Sequence, residues 1–452
     1  MSQPEKTKRK KAVLVGVHIP SVTEEEHMAS LAELARLVHT LGFDSISTIS
    51  QRRSAPVGAT VVGEGKLKEL ARLTGGSGVV SSMAPASRKK EADEEEEEEE
   101  EEAPFEGEKA DLVIFDEELT PTQLRNLESA TGVEVLDRTG VIIEIFHRHA
   151  KTRQAKIQVE IAQLRYLAPR LRMSRVGQDR QGGGIGSKGA GETAHELDKR
   201  RIRDRIAELK KELEDIHTQD VDRRDRRKEQ STVALVGYTN AGKSSLMRAL
   251  TASQVYVEDK LFATLDTTVR AMQPETLPRI LISDTVGFIK KLPHDLVASF
   301  RSTLDEASDA SLLLYVVDAS DPTFRSQLEV TRSVLSELSL DATESLLILN
   351  KSDRLEADEI KALLREFPHS VALSAQRSED IDMLRERIIT YFEKNMVEAD
   401  LLVPYENGKM VGEIHSSMRV LRETHTDDGS ILTVRAYPEM IAKMAQLIKY
   451  EP

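Results

Sequence analysis

The chain has 452 residues and a formal charge of −14, with 39% hydrophobic residues, 4% aromatic residues and no cysteine. A length of this order permits about three domains, and the lack of cysteine excludes disulfide frameworks and thiolate metal sites and favours a reducing cytoplasm. The acidity is local, because thirteen acidic residues and no basic residue lie between Glu91 and Glu108. It therefore does not exclude nucleic acid as a partner. Since a run of like charges repels itself, we predict a disordered acidic insert over about residues 81–108.

The N-terminal region, residues 1–149, is predicted to form a small α/β domain. Its basic start and the apolar run 12–19 superficially resemble a signal peptide, but the run is short, contains His18 and ends at Pro20. A first β-strand is therefore the better interpretation. Short apolar runs at 12–17, 112–115 and 141–146 alternate with helix-like stretches at 24–41 and 121–130, a pattern typical of α/β domains. No run approaches the roughly 20 apolar residues of a membrane span, so we expect no stable membrane insertion.

A basic helical hairpin is predicted over residues 150–229. The stretch 154–167 has apolar residues at helical spacing, and 192–216 has them at the alternating steps of four and three that are typical of a coiled coil. Ten basic residues and two acidic ones lie between 148 and 188, and the tip 181–191 is rich in glycine, which allows close backbone approach. This composition favours RNA binding over the alternative of an ordinary solvated face. The residues predicted to contact RNA are Arg170, Arg172, Arg175, Arg180, Gly183, Gly184 and Lys188.

A phosphate-loop motif follows an apolar run that reads as a buried strand. Gly237, four intervening residues and then Gly242, Lys243 and Ser244 have the required spacing. Backbone N–H groups of such a loop point at anions, the lysine supplies a charge for the β- and γ-phosphates, and the serine offers an oxygen to Mg²⁺. The predicted nucleotide-binding residues here are Gly237, Tyr238, Thr239, Asn240, Ala241, Gly242, Lys243 and Ser244.

Three further motifs predict guanine specificity and a γ-phosphate sensor. In the sequence Asn350, Lys351, Ser352, Asp353, the final carboxylate can accept two hydrogen bonds from the guanine edge, whereas adenine has no such pair of donors. In Asp284, Thr285, Val286, Gly287, the aspartate can reach the Mg²⁺ shell and the glycine N–H can reach the γ-phosphate. Ser374, Ala375 and Gln376 form a predicted loop against the guanine ring.

Each of these motifs follows a predicted strand, and open α/β sheets bind ligands at the carboxyl ends of their strands. Residues 230–395 are therefore interpreted as a GTPase domain with a mainly parallel sheet flanked by helices. Residues 396–452 are predicted to form a small C-terminal α/β domain, with a strand at 431–434 and a closing helix from Pro438. The fold class is thus multidomain α/β.

Two details bear on hydrolysis. The predicted switch loop comprises Phe262, Ala263, Thr264, Leu265 and Asp266. Thr264 would complete Mg²⁺ coordination only when the γ-phosphate is present, the alternative being a polar loop residue without a metal. Phe288 stands where Ras-like proteins carry the glutamine that orients water, so we expect slow hydrolysis without a partner. The catalytic residue is unassigned; Lys243 and Asn240 are candidates, Asn240 either binding K⁺ beside the phosphates or only stabilising the turn.

These motifs resemble the HflX-type ribosome-associated GTPases over nearly the whole chain. The resemblance rests on Leu136-Asp137-Arg138-Thr139-Gly140, the tip ending Gly189-Ala190-Gly191-Glu192-Thr193, GYTNAGKS, FATLD, DTVGF with Leu292-Pro293-His294, and NKSD. Thr267, where members commonly have proline, and the poly-Glu insert depart from the family pattern.

The resemblance implies a monomeric cytoplasmic GTPase, with peripheral membrane association as a further option. It implies GTP or GDP and the RNA of the large (50S) ribosomal subunit as partners, with the hairpin reaching toward the peptidyl-transferase region. It also implies splitting or rescue of stalled ribosomes, and it assigns Ser244 and Thr264 to Mg²⁺.

Two other functions remain open at this point. A tRNA-modification GTPase would share the Asn240 position, but the best-known type ends in a cysteine-bearing motif and this chain has no cysteine. A non-hydrolysing RNA-binding scaffold would keep the nucleotide site without turnover, and it would be excluded by phosphate release that ribosomal subunits stimulate.

Overall fold

The computed structural model describes residues 9–56, 58–80, 108–174, 194–225, 231–252, 261–262, 268–291, 307–337, 340 and 343–450. The acidic tract up to residue 107 and the glycine-rich tip of the hairpin lie outside these ranges. The chain forms two compact units, one of Met1–Arg148 with Lys156–Lys211 and the other of His149–Ala155 with Glu212–Pro452.

The first unit begins with a parallel α/β domain. Its elements are β1 (Lys11–His18), α1 (Glu24–Thr40), β2 (Asp44–Arg52), α2 (Glu64–Thr74), β3 (Leu112–Phe115), α3 (Pro121–Thr131), β4 (Glu134–Asp137) and α4 (Arg138–His149). The four strands pair in the order β2-β1-β3-β4, all parallel. Thr23 and Thr120 begin α1 and α3 as capping boxes, in which each threonine accepts a hydrogen bond from the third helical N–H. The α/β class predicted for this region is confirmed.

The apolar run at residues 141–146, interpreted together with the strand-forming runs, is helical and lies within α4, so that interpretation is wrong. Val141, Ile142, Ile143, Ile145 and Phe146 are all at most 5% exposed. A helix buried over most of its surface has several apolar residues in succession, and such a short run cannot be distinguished by its pattern from a buried strand. The fourth strand is instead β4, which immediately precedes the helix.

The hairpin consists of two long helices, α5 (Arg153–Ser174) and α6 (Ala194–Asp225). Helix α5 continues past the predicted end at residue 167 and through Pro169. Arg205 Nε donates to Glu160 at 2.8 Å and Arg153 Nε donates to Glu212 at 2.6 Å. Because the earlier residue of α5 pairs with the later residue of α6, the two helices run antiparallel.

The second unit contains a six-stranded sheet. Its elements are β5 (Ser231–Gly237), α7 (Lys243–Thr251), β6 (Thr268–Ala271), β7 (Ile280–Asp284), β8 (Leu312–Asp318), α8 (Phe324–Glu337), β9 (Ser345–Asn350), α9 (Ala357–Glu366), β10 (Val371–Ala372) and α10 (Ser378–Glu393). The strand order is β10-β9-β8-β5-β7-β6, with only β6 antiparallel to its neighbour. Leu235, Leu314 and Ile348 from adjacent strands pack with Leu246 of α7 and Leu384 of α10. The carboxyl ends of β5, β7, β8 and β9 therefore meet at one edge.

A small C-terminal domain closes the second unit. It comprises β11 (Val397–Val403), α11 (Gly408–Ser417), β12 (Arg419–Thr426), β13 (Gly429–Ala436) and α12 (Pro438–Tyr450). The strands form an antiparallel sheet in the order β11-β13-β12, and Leu432 and Val434 pack with Met410 and Ile414. Among the described residues, no helix combines the length and hydrophobicity that a membrane crossing requires.

Candidate nucleotide site

The phosphate loop connects the end of β5 to the start of α7. Gly237 is the last residue of β5 and Lys243 the first of α7, so residues 238–242 form the turn. Gly237 and Gly242 have φ angles of 152° and 96°. A Cβ atom at Gly237 would collide with Val316 O, and one at Gly242 with Asn350 Nδ2. Glycine is required at both positions, and the backbone N–H groups at the start of α7 can receive an anion.

Lys243 lies inside the loop. Its side chain is buried, and Nζ donates to Gly237 O at 3.1 Å and to Tyr238 O at 2.8 Å. Burial lowers the pKa of Lys243 to about 8, while the Asp284 carboxylate acts in the opposite direction. The ammonium is thus placed by the loop's own carbonyl groups at the point where β- and γ-phosphate oxygens are expected.

Ser244 and Asp284 bring two oxygen ligands together. Ser244 Oγ donates to Asp284 Oδ2 at 2.7 Å, and Asp284, the last residue of β7, is fully buried. Mg²⁺ prefers such hard oxygen ligands beside phosphate, so this pair fits the predicted ion. Of the predicted switch loop, Phe262 is buried with a φ of 57°. Ala263, Thr264, Leu265 and Asp266 lie outside the described residues.

The segment after Asp284 is joined to the phosphate loop by backbone hydrogen bonds. Thr239 N donates to Phe288 O at 2.8 Å, and Phe288 N donates to Gly237 O at 3.1 Å. The Phe288 side chain is only 3% exposed, and Thr285 Oγ1 donates to Leu235 O at 2.7 Å. The phenyl ring therefore belongs to the core, and its backbone fixes Gly287 next to the phosphate loop.

The predicted guanine-binding residues converge at the ends of β9 and β10. Asn350 is buried, donates from Nδ2 to Ala241 O at 2.8 Å and accepts from Ala375 N at 3.2 Å. A hydrogen bond from the Ser374 side chain lowers the pKa of Asp353 below the usual carboxyl value. Asp353 is exposed and anionic at neutral pH, as acceptance of two guanine N–H groups requires. Ser352 is buried in this loop, and Gln376 is exposed beside it.

Lys351 links the two halves of the site. Its Nζ donates to Asn240 O in the phosphate loop at 2.8 Å and to Asp318 Oδ2 at 2.7 Å. Asn240 has a φ of 60°, a conformation in which asparagine is favoured. This geometry supports the turn-stabilising role of Asn240, and its K⁺ role stays a prediction.

Two residues of the site were missed from the sequence. Asp318 ends β8 and accepts the Lys351 ammonium, so the strand-end rule that found Asp284 could have found it. Asp380, in the first turn of α10, accepts a hydrogen bond from Ser374 N at 2.7 Å. No local signal distinguishes that carboxylate from an ordinary acidic residue near a helix start.

In the first unit, Arg170 contacts other groups of the protein, and its predicted contact with RNA stays a prediction. Its guanidinium donates to Asp137 Oδ2 at 2.7 Å and lies 3.3 Å from the centre of the Tyr166 ring. Tyr166 OH donates to Asp137 Oδ1 at 2.8 Å, and burial followed by the Asp137 charge raises the pKa of Tyr166. Because both Arg170 and Asp137 are charged and Asp137 is buried, their contact is a charge-assisted hydrogen bond of the stronger kind. The side chain of Arg172, together with Arg175, Arg180, Gly183, Gly184 and Lys188, lies outside the described residues.

Comparison with known proteins matches the chain along most of its length. The family described as GTP-binding GTPase N-terminal matches residues 28–82 and 95–147, GTP-binding GTPase Middle Region matches 149–227, and 50S ribosome-binding GTPase matches 232–351. A protein named GTPase HflX from Gluconacetobacter diazotrophicus is 57% identical over 438 residues, which cover 96% of each chain. Proteins of the same name from Magnetococcus marinus and Escherichia coli K12 are 37% and 36% identical, over 98% of this chain and 96% of theirs.

Proposed function

The chain belongs to the HflX family of GTPases, and we propose that it couples GTP hydrolysis to binding of the large ribosomal subunit in order to split or rescue stalled ribosomes. One observation carries the nucleotide part of this proposal. Lys351, which belongs to the predicted guanine-binding motif, donates hydrogen bonds to Asn240 in the phosphate loop and to Asp318 at the end of β8. The predicted phosphate-binding and guanine-binding residues are therefore directly connected.

The residues of the site divide the work of GTP hydrolysis. The phosphate-loop N–H groups and Lys243 bind and orient the phosphates. Ser244 and Thr264 would hold Mg²⁺, with Asp284 behind Ser244 as its hydrogen-bond acceptor, and the ion when bound would neutralise charge on the β- and γ-phosphates. Gly287 is fixed next to the phosphate loop by the Phe288 hydrogen bonds, where its N–H can sense the γ-phosphate. Because Phe288 is buried and carries no polar group, we expect slow hydrolysis until a partner completes the site.

The basic hairpin supports the ribosomal part of the proposal. Residues 148–188, which run from the end of α4 through the first helix and tip of the hairpin, contain ten basic residues and two acidic ones, and such density favours a phosphate backbone as partner. The 50S ribosome-binding description of the matching family agrees with this chemistry. GTP would set the strength of RNA binding by ordering the loop that contains Thr264.

Sedimentation of the full chain with separated ribosomal subunits tests the proposal. The protein is incubated with each subunit in GDP and in a non-hydrolysable GTP analogue. We expect it to pellet with the large subunit in the GTP analogue and to bind more weakly in GDP. Lys243→Ala should abolish this dependence on nucleotide, whereas Lys361→Ala, which removes an exposed charge on α9, should not. The absence of binding to either subunit in both nucleotides would refute the ribosomal role.

A further inference from the structure

We infer that the Thr239 hydroxyl orients the water that attacks the γ-phosphate, in place of the glutamine that is missing at position 288. This inference rests on the GTP site described above and is independent of the ribosomal partner.

The Thr239 hydroxyl is buried and makes no hydrogen bond. Thr239 is 6% exposed, and its Oγ1 has no hydrogen-bond partner in the part of the chain that the structure describes. Other buried or half-buried hydroxyls of the site are satisfied, since Thr285 Oγ1 donates to Leu235 O and Ser244 Oγ donates to Asp284. A buried hydroxyl without a partner is destabilising, so we expect a ligand group or a bound water to complete it.

The position of Thr239 points to the γ-phosphate end of the site. A Cβ atom built on Gly287 would lie 2.8 Å from the Thr239 Cγ2 and 3.0 Å from Lys243 Nζ. Thr239, Gly287 and Lys243 therefore meet at one point. In phosphate-loop GTPases the lysine reaches the β- and γ-phosphates and the glycine N–H reaches the γ-phosphate, which places the Thr239 side chain beside the reacting phosphorus.

Thr239 is also bonded to the backbone of Phe288. Thr239 N donates to Phe288 O at 2.8 Å, so the two residues are neighbours across the backbone bridge. The Phe288 side chain is buried, so it offers the nucleotide no polar group, whereas Thr239, the residue that is bonded to the Phe288 backbone, carries a hydroxyl. This hydroxyl can therefore take over the positioning task that a glutamine amide performs in Ras-like proteins.

The reaction itself needs no proton acceptor of unusual basicity. The water oxygen forms a bond to the γ-phosphorus, while the bond from that phosphorus to the bridging oxygen breaks and leaves its electron pair on GDP. Both protons of the water end on the released phosphate, one staying on the attacking oxygen and the other moving to another phosphate oxygen. Thr239 Oγ1 accepts a hydrogen bond from the water before and during attack, which directs a water lone pair at phosphorus and leaves the threonine unchanged.

Single-turnover GTP hydrolysis by the full chain, without ribosomes, tests this role. Thr239→Val keeps the shape of the side chain and removes the hydroxyl, whereas Thr239→Ser keeps the hydroxyl and removes the methyl group. We expect Thr239→Val to hydrolyse GTP roughly tenfold to a hundredfold more slowly, and Thr239→Ser to stay within about threefold of the parent. Affinities for GDP and for a non-hydrolysable GTP analogue are measured in parallel and should change little in either variant.

A Thr239→Val protein that hydrolyses GTP at the parent rate would overturn the inference. So would an equal loss of rate in Thr239→Ser, which would assign the effect to packing of the methyl group on Gly287. A loss of GDP affinity as large as the loss of rate would mean that the loop has collapsed, and this too would contradict a positioning role. Because the rates are compared without ribosomes, failure of the protein to bind either subunit would refute the proposed function and leave this comparison intact.

Discussion

The guanidinium of Arg170 lies 2.7 Å from the carboxylate of Asp137, a residue that is completely buried at the end of β4. The same carboxylate accepts the Tyr166 hydroxyl, and a Cβ atom on Gly140 would press against that hydroxyl. Asp137 and Gly140, which belong to the Leu136–Gly140 motif, therefore contact the later part of helix α5. The motif serves to fix the hairpin to the first sheet.

Arg170→Ala should loosen this attachment. Removing one partner of a buried ion pair leaves the other charge uncompensated and costs on the order of 3 kcal/mol. We expect backbone amides of β4, α4 and the later part of α5 to exchange roughly 100-fold faster in hydrogen–deuterium exchange. Lys156→Ala, at an exposed position of the same helix, is the matched control. Unchanged protection in Arg170→Ala would mean that the ion pair does not hold the helix.

Asp353→Asn should weaken GTP and GDP binding and admit xanthine nucleotides. The anionic carboxylate is expected to accept two N–H groups of guanine, and the amide of asparagine cannot accept both. Loss of two hydrogen bonds to a charged group predicts an affinity loss on the order of 100-fold or more. Titration with fluorescent guanine and xanthine nucleotides measures both effects. Asp358→Asn, an exposed change on α9, is the control and should leave the preference for guanine intact. An unchanged preference for guanine in Asp353→Asn would show that Asp353 does not bind the base.

Nucleotide binding should depend on pH through Lys243. Burial lowers the pKa of Lys243 to about 8, so in the nucleotide-free protein the ammonium loses its proton as the pH rises through this value. Phosphates require the charged form, and affinity for GDP should therefore fall roughly tenfold between pH 7 and pH 9. Folding stability should change in the opposite direction and rise with pH. Below pH 8 the buried ammonium is unfavourable, and this penalty is relieved between pH 8 and the higher pKa that the lysine has in the unfolded chain.

Lys243→Met provides the control for this pH dependence. It should bind GDP weakly at every pH and should lack the decline between pH 7 and pH 9, apart from any change that comes from the nucleotide itself. Equal slopes in the parent and in Lys243→Met, measured by isothermal titration calorimetry, would rule out Lys243 as the titrating group.

Phe288→Gln should not accelerate hydrolysis. Phe288 is 3% exposed, so a glutamine there places an amide in the core rather than beside the nucleotide. We expect a single-turnover rate no higher than that of the parent, and a stability loss of about 2–4 kcal/mol from lost packing and an unsatisfied amide. Phe288→Leu, which keeps the site apolar, should cost less. A rate increase in Phe288→Gln would show that this side chain can reach the water.

The positions of the nucleotide-site motifs in the fold could be predicted because each motif is contiguous and its spacing encodes backbone geometry. The backbone has positive φ angles at positions 237 and 242, and these positions therefore require glycine. Asp284 and Asn350 are each the last residue of a strand. A strand followed by such a motif places its side chains at one edge of a parallel sheet whatever the rest of the chain does.

Features that depend on distant partners could not be predicted in this way. In the sequence, nothing distinguishes Arg170 from the other basic residues around it. Its role becomes visible only when the structure shows that it pairs with Asp137, which is distant in the sequence. The run at residues 141–146 is apolar at every position except Glu144, so its helical period is hard to recognise in the sequence. Asp318 is linked to the site through Lys351, and that contact exists only because β8 and β9 are adjacent in the sheet.

The single ammonium of Lys351 has a thermodynamic consequence for how ligands are recognised. It donates hydrogen bonds to Asn240 in the phosphate loop and to Asp318 at the end of β8. Asn350, from the same motif as Lys351, makes a second link by donating to Ala241 in the phosphate loop. Groups that share partners in one network do not contribute independently. Because this cross-link is already formed without ligand, it holds the two ends of the site in a fixed relation, and the intact nucleotide meets both ends without having to order them. The binding free energy of GDP should therefore be more favourable than the sum of the values measured for guanosine and for pyrophosphate. A substitution at either end of the site should also weaken binding at the other end.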